Sequence, residues 1–151
     1  MESMDPKAAP LYTPLSRESS QIRLFRFIDA ENSKLGFRLE LNTVSLDTNP
    51  DYSALSYEWG DPNDAGEIEV NGSPLTVTRN LIAALSRIGS TRRLMWVDAI
   101  CINQADVTEK NYQVLMMARI YKQAEGVVSW LGDSDDSSRR GMRFISDLAS
   151  S

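Results

Sequence analysis

The sequence predicts an α/β domain with a mostly parallel central sheet flanked by helices, an N-terminal antiparallel pair and a β-hairpin insertion. Three observations carry that expectation. Leu94–Ile102 is an almost unbroken apolar run, rich in β-branched and aromatic side chains and of strand length, as expected of a strand covered on both faces. A helical stretch over 107–124 and a short apolar strand over 127–131 follow it. Together they make a βαβ unit of ordinary length, whose two strands should run parallel. Finally, Glu67–Val70 and Ser73–Val77 flank Asn71-Gly72, a pair suited to the positive φ angles of a two-residue type I′ turn.

Residues 1–20, with Pro6, Pro10 and Pro14 among scattered Ser and Lys, read as a flexible arm, which leaves residues 21–151 as a single domain. Ile22–Ile28 and Phe37–Leu41 alternate apolar and polar side chains on either side of a polar turn and predict the antiparallel pair. Tyr52–Asp61 is a further strand. Its period of two sets Leu55, Tyr57 and Trp59 against Ala54, Ser56 and Glu58, and Gly60 permits a turn beyond the tip. Pro74 cannot donate to a ladder and keeps its strand at an edge. Leu81, Ile82, Leu85 and Ile88 share one helical face, with Thr78 or Asn80 to cap the start and Gly89 to end it. In the second helix Asp106 and Glu109 have capping-box spacing. Val107, Val114, Met117, Ala118 and Tyr121 form its expected apolar stripe, and Gly126 its end. An acidic loop, Asp133–Asp136, and an amphipathic piece with Met142, Ile145 and Leu148 finish the chain.

A net charge of −5, with 42% apolar and 25% charged residues, fits a globular protein and argues against nucleic acid as the main partner. No apolar run reaches the length of a membrane span, and the first residues lack the basic start and apolar core of a signal peptide. A cytoplasmic location is therefore expected, and the single cysteine, Cys101, agrees with it. Histidine is absent, which removes Ser-His-Asp triads, Cys-His dyads and His-ligated metals. No metal ligand set and no bound cofactor are expected.

Parallel strands in open α/β sheets gather ligands outside their carboxyl tips. Here that edge would collect Asn103, Gln104, Glu109, Gly132-Asp133 and the Tyr57–Gly60 tip. Asp98 is the anomaly, a carboxylate in mid-strand that needs a partner, because desolvating it alone costs several kcal/mol.

Tyr52-x-x-Leu55-Ser56-Tyr57-x-Trp59-Gly60, then Trp96-x-Asp98-Ala99-Ile100-Cys101-Ile102-Asn103-Gln104, Glu109-Lys110, Gln113-Val114 and Val128-x-Trp130-Leu131-Gly132 together resemble the fungal heterokaryon incompatibility (HET) domain. The resemblance covers about residues 22–148. Lys110 stands where the family more often has Arg, and Glu58 fills a variable slot. The resemblance implies a TIR-like, flavodoxin-like fold and a role in nonself recognition that triggers cell death after fusion of incompatible hyphae. Its expected partners are a second copy or other incompatibility and NLR-type proteins. Because such proteins are usually longer, it also implies either an N-terminal domain or a short natural form.

Some TIR domains hydrolyse NAD with one glutamate, and others only assemble. NAD is accordingly a substrate candidate, and a homotypic adaptor without turnover is the alternative. One carboxylate can stabilise the oxocarbenium-like ribose left when nicotinamide departs. Glu109 is the first catalytic candidate, with capping as its other reading; Asp98, which could equally be an anchor, and Glu58 follow. Ser56, Tyr57, Trp59, Gly60, Asn103 and Gln104 are the candidate substrate-binding residues.

Overall fold

The structure, a computed structural model, describes residues 11–31, 34–57, 60–88 and 93–130, and the backbone of 142–145. Gln21–Asp29 (β1) and Phe37–Ser45 (β2) pair antiparallel along their whole length, from Gln21 opposite Ser45 to Asp29 opposite Phe37. The alternation predicted this pair: Phe37, Leu39 and Leu41 are buried between exposed or half-buried polar neighbours. Ser53–Tyr57 (β3), Ala65–Val70 (β4), Ser73–Thr78 (β5) and the helix Arg79–Ile88 (α1) follow. The β4–β5 turn is the expected one, with Asn71 at φ 52° and Gly72 at φ 81°. Pro74 lies in β5, the edge strand at that end of the sheet. Thr78 Oγ1 accepts from the Leu81 amide at 3.3 Å and so caps α1. Gly89, its expected terminator, lies outside the described residues.

The run 94–102 differs from expectation. Only Met95–Trp96 (β6) is strand, and Asp98–Cys101 (α2) is a single helical turn entered through extended Val97. The Val97 carbonyl accepts from the Ile100 and Cys101 amides, and the Asp98 carbonyl from Ile102. Ile100, Cys101 and Ile102 are fully or almost fully buried because the turn is packed under other elements. Burial all round does not distinguish a covered strand from a covered turn. Asp98 therefore opens a helical turn, where a carboxylate sits favourably beside free backbone N–H groups.

Val107–Gln123 (α3), Gly126–Trp130 (β7) and Met142–Ile145 (β8) complete the fold. Asp106 caps α3, accepting from the Glu109 amide at 3.1 Å. The expected apolar stripe is displaced: Gln113, Met116 and Ile120 are buried, Met117 and Tyr121 half-buried, whereas Val107 and Val114 are exposed. The polar Gln113 turns inward because its amide nitrogen donates to the Gln21 carbonyl at 3.1 Å, so a hydrogen bond helps orient the helix.

The strand order is β5-β4-β2-β1-β6-β3-β7-β8. As expected, β6 and β7 are parallel, each paired with β3 between them. A single parallel bridge, Leu39 to Val70, joins β2 to β4. The pairings β1–β2, β1–β6, β4–β5 and β7–β8 are antiparallel, so the sheet is mixed rather than mostly parallel. The long β1–β2 pair enters the middle of the sheet through Phe25 opposite Met95 instead of being added outside it. Its core side chains, among them Leu24, Phe25 and Leu39, join Leu55, Trp96 and Ile120 in one buried cluster. Among the described residues no helix is long and apolar enough to cross a membrane.

Candidate functional site

Because β6, β3 and β7 are parallel, their carboxyl tips share one edge, and a cavity of about 360 Å³ opens there. Tyr57 at the tip of β3, Thr76 and Thr78 of β5, Ala99 of α2, and Gln104 and Lys110 at the approach to and start of α3 line it. The lining combines an aromatic ring, methyl groups, hydroxyls, an amide and one ammonium, the mixture typical of small-molecule sites of roughly 300–1,000 Å³.

Asp98 adjoins this wall, one residue before Ala99, and is half-buried. Burial first, and then the Asp98 charge, raises the pKa of the Tyr121 phenol to about 12. The same two causes raise Tyr57 well above the ordinary phenol range, with a hydrogen bond involving Thr78 working the other way. Asp98 thus stands electrostatically beside two protonated phenols, which are neutral donors at physiological pH. Trp96 packs edge-on against Tyr121, ring centroids 5.6 Å apart. Gln104 is tied to the same turn: its side-chain amide donates to the Asp98 carbonyl at 2.9 Å.

Glu109 is placed differently. Both its oxygens meet the Arg23 guanidinium, at 2.7 and 2.8 Å, and one also accepts from the Asn103 amide at 2.6 Å. With side chains only 2% and 9% exposed, Arg23 and Glu109 form a buried bidentate pair. The half of the capping box in which Glu109 would reach back to Asp106 is therefore not made; its carboxylate serves Arg23 and Asn103 instead, and it does not line the cavity. Arg23 also donates to the Cys101 carbonyl at 3.1 Å and the Thr13 carbonyl at 2.6 Å.

The structure brings Tyr57 and Gln104 together in the cavity wall, with Asp98 beside it. Asn103 is turned to local bonding, its side-chain oxygen accepting from the Ala105 amide. Ser56 is half-buried within β3, opposite Ser129 of β7. Gly60 adopts φ 72°, and a Cβ there would meet only the Asn80 Cβ at 3.6 Å, so its positive φ is what favours glycine. Glu58, Trp59 and Gly132-Asp133 lie outside the described residues. Sequence reasoning missed Lys110 and Thr78 as cavity residues and Arg23 as the partner of Glu109. An arginine between Ile22 and Leu24 in a strand was the available signal, since a buried guanidinium requires an acid or several carbonyls. Among the described residues no three carboxylate or thiol side chains stand close enough to hold a metal ion.

A mixed α/β domain with a cavity of mixed apolar and polar lining at its parallel edge is the class that fold and site define. Residues 52–151 match the family model of Heterokaryon incompatibility protein (HET), and the chain belongs to that family. It is also similar to Heterokaryon incompatibility protein 6, OR allele, of Neurospora crassa (strain ATCC 24698 / 74-OR23-1A / CBS 708.71 / DSM 1257 / FGSC 987), with 36% identity over 149 residues. That similarity covers 89% of this chain and 22% of the relative, so the chain spans well under a third of the protein it matches. No solved structure matches the chain.

Proposed function

We propose that this chain is the effector domain of a heterokaryon incompatibility protein, which triggers cell death when unlike fungal strains fuse, and that it acts by cleaving NAD in the edge cavity. The supporting observation is a HET-family domain with a cavity along the carboxyl edge of parallel strands, lined by Tyr57, Gln104 and Lys110, with Asp98 one residue from its wall and electrostatically coupled to Tyr57. On this reading the bond from ribose C1 to the nicotinamide nitrogen breaks, and its electron pair leaves with nicotinamide. The Asp98 carboxylate stabilises the oxocarbenium-like ribose, water adds to C1, and a proton is released. Tyr57 and Gln104 orient the nicotinamide riboside, and Lys110 meets a phosphate. Glu109, held by Arg23, has a supporting role in place of the catalytic one. This is the TIR-like reading of the domain.

Purified full chain incubated with NAD is expected to release nicotinamide, and Asp98→Asn to lower the rate by about 10²–10³-fold, the usual scale for losing one electrostatic stabiliser. No release from the wild type at high protein concentration, in crowded or assembled samples included, would sink the enzymatic reading.

A second reading, an adaptor that works by association with another copy or with NLR-type incompatibility proteins, is favoured by the outer face of α3. There Val107, Val114 and Leu115 are 68%, 49% and 83% exposed. Leu115→Asp separates the two: killing lost with NAD cleavage retained favours the adaptor.

A further inference from the structure

The α2 turn and the start of α3 have two sides. One forms the cavity wall through Ala99, Gln104 and Lys110. The other is fastened to the chain's N-terminal segment. The Tyr12 hydroxyl donates to the Ile100 carbonyl at 2.7 Å. Arg23 donates to the Cys101 carbonyl, to the Thr13 carbonyl and to both oxygens of Glu109, and lies 4.8 Å from the centre of the Tyr12 ring. Glu109 accepts from the Asn103 amide. Ile100 adjoins Ala99, Asn103 adjoins Gln104, and Glu109 adjoins Lys110, so three of these attachments fall one residue from a side chain that shapes the cavity. Further along, Arg17 stacks over Tyr112 of α3 at 4.9 Å, the Tyr112 hydroxyl donates to the Arg17 carbonyl at 3.1 Å, and Arg119 donates to Ser20 Oγ at 3.0 Å.

We propose that residues 11–20, joined through Arg23 and Glu109, are a latch that holds α2 and the start of α3 in the position that shapes the cavity. The attachment of the N-terminal segment then sets whether the cavity can be occupied. Tyr12, Arg23 and Glu109 are positioning residues that reach the cavity only through their neighbours. Except for Glu109 and the backbone of α2 and Asn103, the latch around Arg23 precedes residue 52, where the family match begins. The functional unit accordingly starts ahead of the matched region. That the cavity is a ligand site rests on the reading above; that the latch orders its wall does not.

The test is hydrogen exchange on the full chain, wild type against Tyr12→Phe and Tyr12→Ala. Tyr12→Phe removes one hydroxyl and keeps the ring beside Arg23, so the fold is retained. The amides of Ile100–Asn103 are expected to exchange about fivefold faster in Tyr12→Phe, the factor for one net hydrogen bond, and faster still in Tyr12→Ala. Amides of the β3–β7 ladder such as Leu55 and Val128 should keep their wild-type rates. Unchanged exchange at 100–103, or a rise shared with the β3–β7 ladder, overturns the latch.

NAD serves as the probe of the cavity, with about fivefold weaker binding expected in Tyr12→Ala. Equal NAD affinity in a variant whose 100–103 amides have loosened overturns the link to the cavity. A wild type that does not bind NAD overturns the turnover reading, and the exchange rates then uphold or overturn the latch by themselves.

Discussion

The two sides of the Asp98–Lys110 segment carry their charges in opposite ways. On the side facing β1, Glu109 has both oxygens committed to Arg23 and one also to the Asn103 amide, in a pocket that leaves Arg23 2% and Glu109 9% exposed. One residue from the cavity wall, the half-buried Asp98 lies close enough to Tyr57 and Tyr121 to raise both phenols. A carboxylate saturated by a guanidinium and a backbone amide organises structure. Asp98 instead acts on two half-buried phenols, whose ionisation its charge opposes.

The comparison predicts its largest difference in stability. Breaking a buried ion pair by removing one partner costs about 3–5 kcal/mol, because the other charge is left buried and uncompensated. Arg23→Met strands Glu109 in this way and should lower urea-unfolding stability by about that amount. Replacing both residues, Arg23→Met with Glu109→Leu, should cost less than the sum of the single changes. A double-mutant cycle that came out additive would mean the two sides are not as different as their geometry makes them.

A second difference is read by alkaline titration. Burial raises Tyr12, in the latch, to about 12, with Cys101 and Glu109 adding to the effect and Arg23 opposing it. An unfolded tyrosine loses its proton near 10. The folded chain holds the Tyr12 proton more tightly than the unfolded chain does. The corresponding stability is complete below pH 10 and is lost as pH rises from there through about 12. Tyrosinate absorbance should stay low through pH 10 for Tyr12, Tyr52, Tyr57 and Tyr121, all raised chiefly by burial, and should appear together with unfolding. Early ionisation of Tyr12 alone would mean that the latch opens before the core.

What could be read from the sequence was local. The Asn71-Gly72 turn, the alternation of β2 and the Asp106 cap each depend on neighbours within a few positions, and the structure has all three. Apart from the parallel course of β6 and β7, which the βαβ connection dictates, the long-range features escaped. Arg23 and Glu109 are 86 residues apart, so capping-box spacing supported only the local role for Glu109. The insertion of β1 beside β6 left no trace in either segment's pattern. The 94–102 run and the rotation of α3 failed for one shared reason: hydrophobicity records burial, and here a buried turn mimicked a strand while a buried Gln113 hid the inner face of a helix. Of the candidate site, Tyr57 was legible through its place at a strand tip and Gln104 through its place at the end of the apolar run, although that run proved to be a turn there. Lys110 and Thr78 were not, because their approach depends on the hairpin and α3 meeting across the cavity.

The smallest expected effect is the sharpest check on Asp98. Asp98→Asn keeps the shape of the side chain and removes its charge, so the stability change should be about 1 kcal/mol or less, the scale of one hydrogen bond. Its spectroscopic consequence has a definite sign. A negative charge nearby disfavours phenolate, so neutralising Asp98 must lower the Tyr121 pKa from about 12 toward 10. It cannot bring it all the way, because burial is the larger cause and the substitution leaves burial intact. Tyr57 should move in the same direction, whereas Tyr52, raised by burial with no Asp98 contribution, should not move. A variant in which all three phenols shift together would report a general loosening of the core. A shift confined to Tyr57 and Tyr121 would fix Asp98 at the cavity edge as an ionised group acting on its neighbours through its charge.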